Sequence, residues 1–117
     1  ISNDMPYMFR NNHKKVGFLI PSELKKNWIL YRMPDRLILK KIFLSYGKFD
    51  LCHYDSDKTY FGRMWSYELI YKYLNKDGLL ISDDINDNNA FIDFAKKNKK
   101  NFYVIKDSKN FVGVIIK

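Results

Sequence analysis

The sequence predicts an α/β fold in which a mostly parallel sheet carries helices on its faces and closes with an antiparallel hairpin. Three observations predict it. Short apolar segments alternate with amphipathic ones from residue 28 onward, the pattern of strand–helix–strand units joined by right-handed crossovers. The strand-like segments at 49–54 and 79–81 both run into clusters of aspartate. The last two strand-like segments are separated only by Lys106-Asp107-Ser108-Lys109-Asn110, a polar link that reads as a hairpin. At 117 residues the chain suits one modest domain over 1–117, with 1–33 an irregular region ending in a short strand and 34–117 an alternating core.

Taken in order, Ile1–Lys26 is the least regular stretch. It has an apolar patch, Val16–Ile20, stopped by Pro21, and Pro21-Ser22-Glu23-Leu24 reads as a helical turn because proline is welcome in a first turn. Trp28-Ile29-Leu30-Tyr31 is a brief strand candidate. From Pro34 the spacing of Ile38, Leu39, Ile42, Phe43 and Tyr46 predicts a helix stopped by Gly47. Phe49–Tyr54 is a strand, and a helix over about Tyr60–Leu74 follows, with Phe61, Trp65, Leu69, Ile70, Tyr73 and Leu74 on its apolar side. Lys76-Asp77-Gly78 breaks that helix. Leu79-Leu80-Ile81 reads as a strand buried on both faces, and Ala90–Lys97 as a helix with Phe91, Phe94 and Ala95 inward. Phe102–Ile105 and Phe111–Ile116 form the closing hairpin.

Composition excludes several classes. With 46% apolar and 17% aromatic residues the chain is too rich for disorder. No apolar run approaches the length of a membrane span, and Ile1–Met8 lacks the basic-then-apolar layout of a signal peptide. Cys52 is the single cysteine; it permits neither an internal disulfide nor a cysteine zinc cluster and fits a reducing cytoplasm. The net charge of +8 raises a nucleic-acid reading, but 17 of the 21 basic residues are lysines. Arginine is the usual bidentate reader of bases and phosphates. The densest run, Lys96–Lys100, falls at a predicted helix end, where it complements the dipole.

In an open parallel sheet, ligands bind beyond the carboxyl ends of the strands. This chain places His53-Tyr54-Asp55-Ser56-Asp57-Lys58 after one strand and Ser82-Asp83-Asp84-Ile85-Asn86-Asp87-Asn88 after the next. Five aspartates brought together repel unless something positive lies among them. A hard divalent cation prefers such oxygens, and hydrogen bonding to a ligand is the alternative. Asp57 is expected to N-cap the Tyr60 helix, and Asp87 or Asn88 the Ala90 helix. His53 and Cys52 are expected in the core, as are Trp28 and Trp65. Asp55, Asp83 and Asp84 directly end buried strands and remain the site candidates.

Residues 53–60 (His-Tyr-Asp-Ser-Asp-Lys-Thr-Tyr), 79–91 (Leu-Leu-Ile-Ser-Asp-Asp-Ile-Asn-Asp-Asn-Asn-Ala-Phe) and 111–117 (Phe-Val-Gly-Val-Ile-Ile-Lys) together resemble the C-terminal part of class I S-adenosylmethionine-dependent methyltransferases, nearest the metal-dependent O-methyltransferases. The resemblance implies a Rossmann-like sheet, S-adenosylmethionine as cofactor and methyl transfer to a hydroxyl of a small molecule or sugar. It also implies Asp55, Asp83 and Asp84 as ligands of Mg²⁺ or another divalent cation, Lys58 as general base, and Asp4 as the acid that meets the cofactor ribose. His13-Lys14-Lys15 is a stretch that could line the acceptor pocket. The pattern departs from the family in one respect. The five glycines at 17, 47, 62, 78 and 113 make no Gly-x-Gly turn. With a start at Ile1, the expectation is the back part of a methyltransferase domain, lacking the first strand and glycine-rich turn, inactive alone, and prone to self-association through an uncovered edge of the Phe49 strand. A noncatalytic methyltransferase-like scaffold and a basic nucleic-acid-binding domain are the alternatives.

Overall fold

The structure, a computed structural model, describes residues 1–5 and 16–117. His13-Lys14-Lys15 therefore lies outside the described residues. The elements run β1 (Ser2–Asn3), α1 (Ser22–Lys25), β2 (Leu30–Tyr31), α2 (Asp35–Tyr46), β3 (Phe49–Tyr54), α3 (Tyr60–Tyr73), β4 (Leu74–Ser82), a 3₁₀ turn (Ile85–Asp87), α4 (Ala90–Lys97), β5 (Phe102–Asp107) and β6 (Asn110–Ile116). They group into two compact units, Ile1–Lys41 and Ile42–Lys117. Among the described residues no helix is long and apolar enough to cross a membrane.

In the first unit β1 and β2 pair in parallel, Ser2 opposite Leu30 and Asn3 opposite Tyr31. Side chains fasten this small sheet: the Trp28 indole N–H donates to Ser2 Oγ at 2.9 Å, and Asn3 Nδ2 donates to Asp35 Oδ1 at 2.8 Å. Asp4 follows β1 directly, its N–H donating to Tyr31 O at 3.0 Å and its carboxylate lying 3.8 Å from Arg32 Nη1.

The second unit is built on a four-stranded sheet in the order β3-β4-β6-β5. β3 and β4 are parallel, and β6 runs antiparallel to both β4 and β5. The strand–helix–strand order and the closing hairpin are as the sequence predicts. The hairpin is tighter than expected, because Asp107 pairs with Asn110 and leaves only Ser108-Lys109 as the turn, with Ser108 at a φ of 49°. The break at Lys76-Asp77-Gly78 is a bulge inside β4. Between the Phe49–Leu74 and Leu51–Leu79 pairs the register shifts, and Asp77 turns the chain with a φ of 64°.

Helices α3 and α4 pack on one another and cover one face of this sheet. Tyr67, Ile70, Leu80, Phe91, Phe94 and Ile115 are wholly or almost wholly buried there. Each such side chain contributes about 1.5–3 kcal/mol through the apolar area it hides. Tyr67 is the hub: its ring lies edge-on to Tyr54 and Phe91 at 5.4 and 6.1 Å between centroids, and 5.6 Å from Phe94. Gly113 on β6 admits the Phe91 ring, which a Cβ at that position would strike.

Two burial expectations fail in part. Ile70 and, just past the end of α3, Leu74 are buried as expected, but Phe61 is 78% exposed and the inward face is completed by Gly62, Arg63, Ser66 and Tyr67. The helix is apolar almost all round, so spacing alone had two solutions, and the small residues Gly62 and Ser66, one turn apart, mark the one that packs closely. The second concerns the strands. Leu79 and Ile81 on β4 are only half-buried, and His53 on β3 is exposed rather than in the core. By register Leu51, His53, Leu79, Ile81, Val114 and Tyr103 share the sheet face away from α3 and α4, where none is buried. Among the described residues β3 has β4 as its one neighbour, so its outer row of peptide groups forms an edge.

Candidate functional site

The carboxyl rim of β3 and β4 is closed by one more rung: Tyr54 pairs with Ser82, and the Asp83 N–H donates to Tyr54 O at 3.0 Å. That rung sets Asp55 and Asp83 side by side where the parallel strands end. Beneath it the Tyr67 hydroxyl and Ser82 Oγ share a buried hydrogen bond at 2.7 Å. Burial pushes the Tyr67 phenol above its ordinary range, against the pull of Ser82, Arg63 and Lys58.

After β3 the chain makes a tight loop. The Tyr54 hydroxyl donates to Asp57 O at 3.2 Å, and Asp57 Oδ1 accepts the Thr59 N–H at 2.9 Å. The helix cap is Thr59, whose Oγ1 accepts the Gly62 N–H at 3.0 Å, rather than the expected Asp57. The Asp57 carboxylate instead packs against Gly62, where any Cβ would collide with it. The loop ends by presenting Lys58 to both strand ends. Its ammonium donates to Asp55 Oδ1 and, at 2.8 Å, to Asp84 Oδ2.

The loop after β4 is fastened as firmly. Asp84 adopts the left-handed conformation, with a φ of 50°, which aspartate tolerates better than most residues. Arg63, fully buried on α3, donates from Nη1 to Asp84 O at 2.9 Å and from Nη2 to Asp87 Oδ2 at 3.1 Å. Asn88 ties the two loops together: its Nδ2 donates to Lys58 O at 2.8 Å, and its Oδ1 accepts the Ala90 N–H at 3.0 Å. The N-cap position of α4 is Asn89, without a side-chain cap, rather than the expected Asp87 or Asn88; Asn88 holds the Ala90 N–H from just outside the helix, and Asp87 is the counter-charge of Arg63.

Sequence reasoning did not single out Arg63. Its signal was an arginine one turn from Tyr67 on the face marked by Gly62 and Ser66.

The charges at the rim act on one another. Burial pulls Lys58 toward its neutral form, but hydrogen bonds to Asp55 and Asp84, with the charges of both, outweigh it and hold the ammonium above its ordinary value of 10.5. The Lys58 hydrogen bond, helped by the charges of Lys58 and Arg63, keeps the Asp84 carboxyl below its ordinary value of 3.8 despite some desolvation. At neutral pH Lys58 thus carries its proton and has no lone pair to accept another.

Of the expected site residues, Asp55, Asp84 and Lys58 meet in one cluster. Asp83 stands beside them with Oδ1 engaged by the Asp84 N–H at 3.0 Å. Among the described residues no three His, Cys, Asp or Glu side chains are placed to hold a metal ion. The donor set explains this. The two carboxylates that converge do so on an ammonium, and the third has one oxygen taken by the Asp84 N–H, so the arrangement does not fit a divalent cation bound by all three.

Solved structures share this architecture. A provisionally assigned O-methyltransferase from Klebsiella pneumoniae superposes with a TM-score of 0.67 at 14% identity, over 97% of this chain and 59% of its own. An O-methyltransferase from Bacillus cereus, solved in complex with S-adenosylhomocysteine, gives 0.59 at 15% identity, over 98% of this chain and 62% of its own. The fold is class I methyltransferase-like. The chain spans about three-fifths of the length of either structure. No protein-family model matches the sequence, and no curated protein matches it.

Proposed function

We propose that the chain supplies the reacting rim of an S-adenosylmethionine-dependent O-methyltransferase that methylates a hydroxyl of a small molecule or sugar. The observation that carries this reading is the convergence of Asp55, Asp84 and Lys58 where two parallel strands end, in a fold similar to O-methyltransferases. S-adenosylmethionine would supply an electrophilic methyl group, whose transfer breaks the sulfur–methyl bond, makes an oxygen–methyl bond and releases the hydroxyl proton.

The rim has a group for each demand of that reaction. A carboxylate of the Asp55–Asp84 pair can take the released proton, and the Lys58 ammonium can donate to the acceptor oxygen and favour its ionised form. In this scheme Lys58 acts through its positive charge, a role that suits the protonated state better than the general-base role implied by the resemblance. Arg63 keeps Asp84 in place from inside the fold.

The test is a ¹H–¹⁵N titration of the full chain with S-adenosylhomocysteine. No Gly-x-Gly turn is present to seat the amino-acid end of the ligand, so affinity is expected to be weak, on the order of 1 mM. Shifts at the amides of 55–58 and 83–88, reduced in Asp84→Asn, are the expected result. Unchanged rim amides at saturating ligand would refute the reading.

A further inference from the structure

We propose that this rim carries its cation built in: the Lys58 ammonium holds the place between Asp55 and Asp84 that a divalent ion would need, and the site works without a metal. The inference takes its chemical meaning from the methyl-transfer reading, but its geometry stands without it. Asp55 and Asp84 belong to different strand ends, and their common partner is the Lys58 ammonium. An ammonium has three N–H donors. Two are engaged by these carboxylates, which leaves one for an oxygen of the acceptor.

The ammonium is held there by the fold rather than by its own flexible stem alone. Lys58 O accepts from Asn88, which is itself bound to the first turn of α4, so the backbone under the lysine is tied to the loop that bears Asp84. Asp84 is fixed in turn by the Arg63 guanidinium on its carbonyl.

A divalent ion would have to displace this arrangement against opposing charge. Mg²⁺ requires near-octahedral oxygen coordination, and Ca²⁺ six or more oxygens. To gain even two carboxylates here, an ion must expel the Lys58 ammonium from between them while the buried Arg63 stays nearby. Asp83 offers limited help, with one oxygen already engaged by the Asp84 N–H. The expected functional signature is a rim whose ligand response is indifferent to chelator and to added divalent ions.

Lys58 is the gatekeeper in this account, and that gives the experiment its sign. The full chain is titrated with Mn²⁺ while paramagnetic broadening of the Asp55, Asp83 and Asp84 amides is followed, in parallel with Lys58→Met. The unsubstituted chain is expected to show no selective broadening at these amides up to about 1 mM, and Lys58→Met, with the carboxylate pair opened, to show it at roughly tenfold lower Mn²⁺. Selective broadening of the unsubstituted chain at micromolar Mn²⁺ overturns the proposal, and so does a Lys58→Met that binds no better than its parent. Should Lys58→Met unfold, Lys58→Gln gives the same comparison with a polar side chain. Failure of the methyl-transfer reading shows up separately, as absence of S-adenosylhomocysteine shifts, and leaves the Mn²⁺ result interpretable.

Discussion

Two lysines occupy opposite ends of the four-stranded sheet, and each ammonium is held by several oxygens. At the carboxyl rim Lys58 is held by carboxylates from two separate strand ends. At the other end Lys117 donates to the main-chain carbonyls of Tyr71, Leu74 and Lys72 at 2.7, 2.8 and 3.3 Å, where α3 runs out. The first arrangement sets charge against charge and leaves Lys58 above its ordinary pKa. The second gives Lys117 dipoles, with no side-chain carboxylate paired to it among the described residues; burial first, then the charges of Lys48 and Lys100, bring it below its ordinary value. The contrast separates a staple from a site. Lys117 satisfies carbonyls that a helix end otherwise leaves without partners, and the ring of Tyr71 lies 5.2 Å from its ammonium. Lys58 spans two loops and neutralises charges that the fold itself has brought together.

The largest effect expected is neither lysine but the residue that braces the Lys58 rim from below. Arg63→Leu removes a fully buried guanidinium from the Asp84 carbonyl and the Asp87 carboxylate. Removing one member of a buried pair costs about 3–5 kcal/mol, and because Asp87 is partly solvated the expected loss is about 2–3 kcal/mol. Urea unfolding measures it; a loss below 1 kcal/mol would mean that the rim loop is held without Arg63, by Asn88 and by Asn86, whose Oδ1 accepts the Phe111 N–H at 3.2 Å. Next in size is Lys117→Met, which leaves the α3 carbonyls without their donor and should cost about 1–2 kcal/mol. Lys117→Arg should recover part of that, since a guanidinium can still reach carbonyls. A Lys117→Met chain as stable as its parent would make the staple a surface ornament and erase the contrast.

How much of this was legible in the sequence follows from which forces act locally. The element order, the hairpin and the meeting of Asp55 with Asp84 follow from alternation and from the rule that parallel strands end on one rim. The hidden face of α3 was not legible, because Phe61, Trp65 and Leu69 offer an apolar stripe as good as that of Tyr67 and Ile70; choosing between them needs the neighbouring α4 and sheet. His53 was misplaced for a related reason. It lies next to buried Tyr54, but the period of two turns it to the face of Leu51. Nor could five aspartates in sequence announce that one nearby lysine would satisfy two of them. That depends on the loop geometry set by Thr59, Gly62 and Asn88, whose caps and close contacts are three-dimensional facts.

The smallest stability effect should come from Lys58 itself, and that is what makes it diagnostic. Its side chain and that of Asp55 are 38% and 48% exposed, so solvent screens the pair and Lys58→Met should change stability by less than about 1 kcal/mol. The signs of the shifts define where the cluster persists. Because Lys58 is raised, its contribution is complete below 10.5 and is lost only as pH climbs through the higher folded value. Because Asp84 is lowered, its contribution is complete above 3.8 and is lost as pH falls through the lower folded value. Lys117, shifted the other way, should release its proton first. Titration of the lysine ¹³Cε signals checks the order directly, with Lys117 moving at lower pH than Lys58. In Asp84→Asn the Lys58 midpoint should fall toward that of Lys117, because one of its two charged partners is gone, while Lys117 stays where it was. If Lys58 titrated with Lys117 in the unsubstituted chain, its ammonium would not be held by the two carboxylates in solution, and the difference between the two ends of the sheet would vanish.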